Sequence, residues 1–354
     1  MPAQRILIID GFRFIALIGV VLYHLTNPYV VHYPHAGFVV QIFSFGYLGV
    51  NFFFMISGFV INYTLENTSN ISSFFKNRFI RLFPAMLLCS LLTFLTAPLL
   101  DKVHHFPGAH EAINLLPGLT FAHPALWSEA LGRPIQWING SYWTLWVELQ
   151  FYVLAAVVYF INKRNFLRNF VLAAILVSIF KEVPNYLGHN HPGIFFSNWR
   201  RISEIFNLTF NIGWFCFGVF FFQLFKGTRF GFRNLSTYGF VVILICQVTD
   251  TLAYYSNSTV LLLGIPVMSI LFLLMIYKKT MLTMLENKLL THIGKISYSI
   301  YLIHEVIGIS LINSYGSYLG SLNSLSPFLV TLLFIGFATI SYRYYERRVS
   351  TWLK

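Results

Sequence analysis

The sequence predicts an all-α, polytopic membrane protein with about ten transmembrane helices and cytoplasmic N- and C-termini. Of its 354 residues, 56% are hydrophobic and only 10% charged, a balance too apolar for a soluble domain of this length. Apolar windows long enough to cross a hydrocarbon layer roughly 30 Å thick recur along the chain. The basic residues gather on one side of those windows.

The ten windows lie near residues 12–31, 43–64, 79–100, 141–161, 168–183, 207–225, 236–252, 259–277, 294–313 and 326–344. With the N-terminus inside, Lys102, Arg133, Lys181, Arg200 and Arg201 fall outside. The other nineteen of the 24 Lys and Arg residues fall inside, an asymmetry that sets the orientation. The formal charge of +12 is therefore chiefly a topology signal rather than the footprint of a nucleic-acid-binding protein. Cys89, Cys216 and Cys246 sit singly in apolar segments, where packing is the expected role. Asp10 and Arg13 interrupt the first apolar run and no small-residue cleavage site follows, so the first helix is expected to be retained. Two external segments, 101–140 and 184–206, are rich in Pro, Gly, Trp and His, and loops of that length often carry function. With no internal repeat and no large hydrophilic block, residues 1–354 read as a single transmembrane domain.

The first helix carries ionisable groups where lipid penalises them. Eleven residues from Arg13, His24 returns to within about 20° of the same azimuth and lies roughly 16 Å further along the axis. This puts the arginine at a membrane boundary and the histidine about halfway into the hydrocarbon, where ionisable residues face a protein interior or a water-filled cavity. A core histidine bonded to a backbone carbonyl is the plainer alternative. Arg78 and Arg81, three residues apart, share a helix face and form a fork suited to phosphate. With Arg13 on the same side of the membrane they can clamp a cytosolic polyanion, although each alone would equally serve as a positive-inside anchor.

The second helix mixes small and aromatic residues with Asn51 and Ser57, which suit interhelical hydrogen bonding or, less simply, donation to an oxyanion. In the fourth helix Glu148 lies about two turns in from the external edge. It needs protonation, a buried cation or hydrogen bonds, with Thr144 and Tyr152 four residues to either side. Orienting a histidine is one use for it. Ser297, Tyr301 and His304 fall at i, i+4 and i+7, a polar stripe that ends in a second midmembrane histidine. His32, His35, His104, His105, His110, His123, His189 and His191 lie in external segments. Without a HExxH or comparable ligand spacing, no metal site is expected there.

Five ordered motifs carry a resemblance over nearly the whole chain. They are Asp10-Gly-Phe-Arg13 followed by Tyr23-His24, Gly49-Val-Asn-Phe-Phe-Phe-Met-Ile-Ser-Gly-Phe59, Arg78-x-x-Arg81-Leu-x-Pro84, Trp143-Thr-Leu-x-x-Glu148-x-x-Phe-Tyr152 and Ser297-Tyr-Ser-Ile-Tyr-Leu-x-His304. The chain resembles the transmembrane acyltransferase family often called acyltransferase family three, which includes bacterial enzymes that O-acetylate polysaccharides. The resemblance implies a multi-pass enzyme of the bacterial cytoplasmic (inner) membrane. Such an enzyme takes an acyl group, acetyl by default, from cytosolic acyl-CoA and places it on a hydroxyl of a glycan, lipid-linked saccharide or other acceptor. It implies no permanently bound cofactor and no nucleic-acid partner.

Arg13 and His24 match the family's essential pair. The roles then expected are phosphate binding for Arg13, Arg78 and Arg81, and catalysis for His24 with Glu148 and His304 orienting or relaying. Asp10, Asn51, Ser57, Trp143 and Tyr301 are expected to give support. Asn51 stands where the family often carries Asp, which weakens any acid role there. Some members continue into an extracytoplasmic hydrolase-like domain, whereas this sequence ends at Lys354, so acceptor handling is expected of the membrane domain. Direct transfer and a covalent acyl-histidine are both compatible with these residues. A proton-coupled transporter or flippase is the competing class, since buried Arg, His and Glu in glycine-interrupted helices suit a carrier too.

Overall fold

The computed structural model describes residues 5–27, 37–190, 202, 205–228, 230, 235–254 and 258–354. Among them every regular element is helical. In chain order the α-helices are α1 (Leu7–Thr26), α2 (Gly37–Phe43), α3 (Leu48–Glu66), α4 (Ile71–Leu100), α5 (Leu115–Thr120), α6 (Pro124–Leu131), α7 (Trp143–Ile161) and α8 (Phe166–Asn190). They continue as α9 (Leu208–Phe225), α10 (Leu235–Tyr254), α11 (Ser258–Tyr277), α12 (Lys288–Lys295), α13 (Ser297–Ile303), α14 (Val306–Tyr315), α15 (Ser326–Ser341) and α16 (Arg347–Trp352). Arg200, Arg201, Arg229, Arg233, His32, His35 and His191 lie outside the described residues, as do the side chains of Lys181 and His189.

Six stretches among the described residues are long and apolar enough to cross a membrane, and a seventh if the pair Leu263–Tyr277 and Lys279–Glu286, bent by 104°, counts as one. The all-helical, multi-span expectation therefore stands, with fewer spans by this measure than the ten windows. Helix α4 begins eight residues before its window because Asn70 caps it: the Asn70 Oδ1 accepts from the Ser73 amide at 2.8 Å. The window at 294–313 is not one helix but α12, α13 and α14, with a turn at His304 and Glu305. Long-range partners hold that break. Asn139 Nδ2 donates to the Leu302 carbonyl at 2.9 Å, and the Ser141 amide donates to Glu305 Oε2 at 2.5 Å. Backbone groups freed at membrane depth need such substitutes. After α15, residues Tyr342–Glu346 form a π turn, and Glu346 Oε1 accepts from Ser299 Oγ at 2.8 Å and Ser341 Oγ at 2.7 Å.

Two compact units are described separately. The first contains Asn51–Phe75 and Leu145–Leu282. Its interior is aromatic, with Phe151 stacked on Phe215 at 4.2 Å and Phe221 on Phe272 at 4.8 Å between ring centroids. Helices α3 and α9 cross there with Gly218 against the Met55 carbonyl, an approach that no side chain at position 218 would allow. The second contains Gln4–Val50, Lys76–Thr144 and Thr283–Lys354. There α1 lies directly on α12, with Gly294 against the backbone carbonyl of Asp10. Cys89 and Cys216 are buried as packing residues, but Cys246 is exposed, because it occupies the outward face of α10.

Beyond α4, Asp101 organises the following turn. Its buried carboxylate accepts from the amides of His105 and Phe106, each at 2.9 Å, and meets His110 Nε2 at 3.1 Å. Burial pushes the carboxyl pKa up, but the Phe106 amide, the His110 ring and the His105 amide outweigh it and hold it below its ordinary value. A carboxyl depressed on folding contributes stability that is complete above its unfolded value of about 3.9 and is lost as pH falls through the lower folded value. Asp101→Asn is accordingly expected to lower stability by about 1–3 kcal/mol at pH 7. The difference from wild type should vanish in strong acid, as thermal unfolding across pH would show.

Candidate functional site

Helix α1 is continuous from Leu7 to Thr26, so the helical arithmetic that aligns Arg13 with His24 holds in the fold. His24 is half-buried, and its Nδ1 lies 2.9 Å from the Val20 carbonyl one turn back. His304 is wholly buried at the turn between α13 and α14, with its Nδ1 2.6 Å from the Tyr301 carbonyl. A carbonyl only accepts, so each Nδ1 carries the proton and each Nε2 keeps its lone pair in the neutral ring. The two imidazoles meet edge to face, 4.9 Å between centroids. His304 Nε2 has no hydrogen-bond partner among the described residues. Two basic nitrogens, one of them unpaired in a buried site, form an arrangement able to take and relay a proton.

Around the pair, Tyr301 OH lies 3.0 Å from Thr144 Oγ1 and donates to the Ser141 carbonyl at 3.3 Å. The Tyr301 ring also lies against His304, 5.1 Å between centroids. The stripe of Ser297, Tyr301 and His304 is thus helical only to Ile303, and its histidine is placed by a break rather than by continued periodicity. Sequence reasoning missed Asn139, Ser141 and Glu305, which hold that break. The available signal was Glu305 itself, a second ionisable residue beside His304 within an apolar run.

At the start of α1, Asp10 is 1% exposed and holds two arginines: Arg5 Nε at 2.6 Å and Arg13 Nη1 at 3.2 Å. The hydrogen bond to Asp10 raises the Arg5 pKa, against the opposing pull of burial. Arg13 is therefore fixed in place by a buried carboxylate at the start of α1. Arg78 is buried and Arg81 exposed, so the two residues of that fork meet different surroundings.

In the other unit, Glu148 Oε1 accepts from Ser57 Oγ at 2.6 Å and from Tyr152 OH. Ser57 is an interhelical tie, as expected, and it ends on the carboxylate. Of the two flanking hydroxyls only Tyr152 reaches Glu148, since Thr144 is engaged with Tyr301 and the Ser141 carbonyl. Asn51 is buried, and its Nδ2 has no partner among the described residues. Trp143 is half-buried at the first position of α7. No group of three or more His, Cys, Asp or Glu side chains able to hold a metal ion occurs among the described residues.

Comparison with known proteins gives these motifs a family. Three curated relatives, O-acetyltransferase OatA from Staphylococcus aureus strains NCTC 8325, COL and MRSA252, are each 26% identical over 364 aligned positions. The alignments cover 96% of this chain and 56% of each relative, so the chain spans about half the length of the curated relatives it matches. No solved structure matches it. The family model described as an acyltransferase domain matches residues 6–343, and the chain belongs to that family, the transmembrane acyltransferases of family three.

Proposed function

We propose that this chain is an integral membrane O-acyltransferase that moves an acyl group, acetyl by first choice, from cytosolic acyl-CoA to a hydroxyl of a glycan, lipid-linked saccharide or other extracytoplasmic acceptor. The observation that carries the reading is the His24–His304 pair, two imidazoles that each donate Nδ1–H to a backbone carbonyl and so present Nε2 for proton transfer. Family membership and the O-acetyltransferase names of the relatives support the same chemistry. We read residues 1–354 as one transmembrane acyltransferase domain with ten spans, both ends cytoplasmic, in the bacterial inner membrane. The basic-residue asymmetry supports that orientation.

In this mechanism Arg13, Arg78 and Arg81 hold the phosphates of acyl-CoA, and the pantetheine arm runs along α1 for the roughly 16 Å to His24. Asp10 positions Arg13. His24 Nε2 takes the acceptor's hydroxyl proton as the oxygen attacks the thioester carbonyl. The carbon–sulfur bond breaks, and the imidazolium returns the proton to the leaving CoA thiolate, so the reaction is balanced. His304 relays or stabilises the charged ring, and Tyr301 fixes His304. In this proposal Glu148, held by Ser57 and Tyr152, orients or relays, and Asn51 and Trp143 give support.

The test is release of free CoA from acetyl-CoA by the purified protein in membranes, with a panel of saccharide acceptors. Acceptor-dependent release supports the proposal. If acetyl-CoA neither binds nor turns over, the carrier reading takes its place. Replacing both Arg78 and Arg81 by Ala is expected to weaken acetyl-CoA binding by about 100-fold, from the loss of two charge-assisted contacts. Equilibrium binding of labelled acetyl-CoA reads this directly, and a carrier would be indifferent to the change.

A further inference from the structure

We propose that the polar face of α14 is a subsite for the hydroxyl groups of a neutral saccharide acceptor, with Ser310 and Asn313 as its contacts. This rests on the acyltransferase reading above and names where that reaction's second substrate is held.

Several hydroxyls inside the helices of this chain return to the carbonyl four residues back, among them Thr26 to Leu22, Thr96 to Leu92, Thr331 to Pro327 and Thr339 to Ile335. Ser310 does not. It is 2% exposed, and its Oγ has no partner among the described residues. One turn on, both Asn313 Nδ2 and Asn313 Oδ1 are buried without a partner among those residues. Buried polar groups are nearly always paired, and an unpaired one is destabilising. Three such atoms within four residues are therefore costly unless something transient meets them.

Their position gives them a use. Helix α14 starts two residues after His304, whose Nε2 also has no partner among the described residues. At 1.5 Å per residue, Ser310 lies roughly 9 Å and Asn313 roughly 13 Å beyond His304 along the chain. Ser310 and Asn313 share a face with Ser314, whose hydroxyl donates to the Leu100 carbonyl at 2.8 Å, so this face is turned towards the end of α4. Under the proposed topology that end is external. The unpaired set runs from the reacting histidines towards the side where the acceptor arrives. Its chemistry is neutral: a hydroxyl and a carboxamide offer both donors and acceptors, which complements a polyol. The face is closed in this structure, so entry requires it to part from the end of α4.

The experiment uses the full chain in membranes, with Ser310→Ala and Asn313→Leu made singly. Binding of chito- and malto-oligosaccharides is measured at equilibrium alongside acetyl-CoA turnover and thermal unfolding. We expect each variant to weaken oligosaccharide binding, and to raise the acceptor KM, by about tenfold. The acetyl-CoA KM should stay unchanged and the unfolding temperature should be equal or higher, because an unpaired buried group has been removed. The proposal is overturned if the wild type binds no saccharide, or if saccharide binding is unaffected by both variants. It is also overturned if the variants lose stability and affinity for both substrates together, which marks structural glue. Saccharide binding without any CoA release would instead sink the acyl-transfer reading.

Discussion

His24→Ala is expected to lower acyl transfer by about 10²–10⁴-fold while acetyl-CoA still binds, because the variant loses the base but keeps Arg13, Arg78 and Arg81. The structure gives this loss a definite form. His24 is oriented by the Val20 carbonyl of its own helix, so removing the ring should leave the α1 backbone intact. His304→Ala should also be severe. If the two rings, which are in contact, act as the proposed single proton-handling unit, the double variant should be little worse than the poorer single one. Independent, multiplying losses would separate His304 from the chemistry. Full activity in a folded His24→Ala protein would remove the proposed mechanism.

The second large effect is expected far from the histidines. At Gly294 a Cβ would overlap the Asp10 carbonyl oxygen, which belongs to backbone and cannot rotate aside. Gly294→Ala must therefore push α12 off α1, at about 3 kcal/mol or more, the upper end of overpacking costs. The displacement also acts on the residue whose carboxylate holds Arg5 and Arg13. We expect a lower unfolding temperature together with a raised acetyl-CoA KM. A stable variant with normal acetyl-CoA affinity would mean that this crossing does not position Arg13.

What could be read from the sequence follows the reach of each interaction. Apolar length gave the helical, membrane-spanning class, and periodicity placed Arg13 and His24 on one face because α1 is unbroken. Local spacing also foreshadowed the bond between Tyr152 and Glu148, four residues apart. Ser57, which shares that carboxylate from 91 residues away, could be read only as an interhelical tie of unknown partner. Asp10 looked like an interruption in an apolar run, although its i, i+3 relation to Arg13 was visible. The break at His304 was not legible, because its partners come from far along the chain: Asn139 meets the Leu302 carbonyl and the Ser141 amide meets the Glu305 carboxylate. Periodicity describes a helix but does not show where distant side chains will interrupt it.

The π turn at Tyr342–Glu346 has an evolutionary reading. Such a turn holds one more residue than an α-helix would, the outcome a single-residue insertion into a straight helix produces. A relative lacking it would be one residue shorter between Ser341 and Arg347. Its terminal helix would be rotated by about 100°, pointing Arg347 and Arg348 in another direction and taking the carboxylate away from Ser299. A one-residue gap at this place in an alignment would then be a geometric marker, dividing the family into members that keep a half-buried carboxylate on α13 and members that do not.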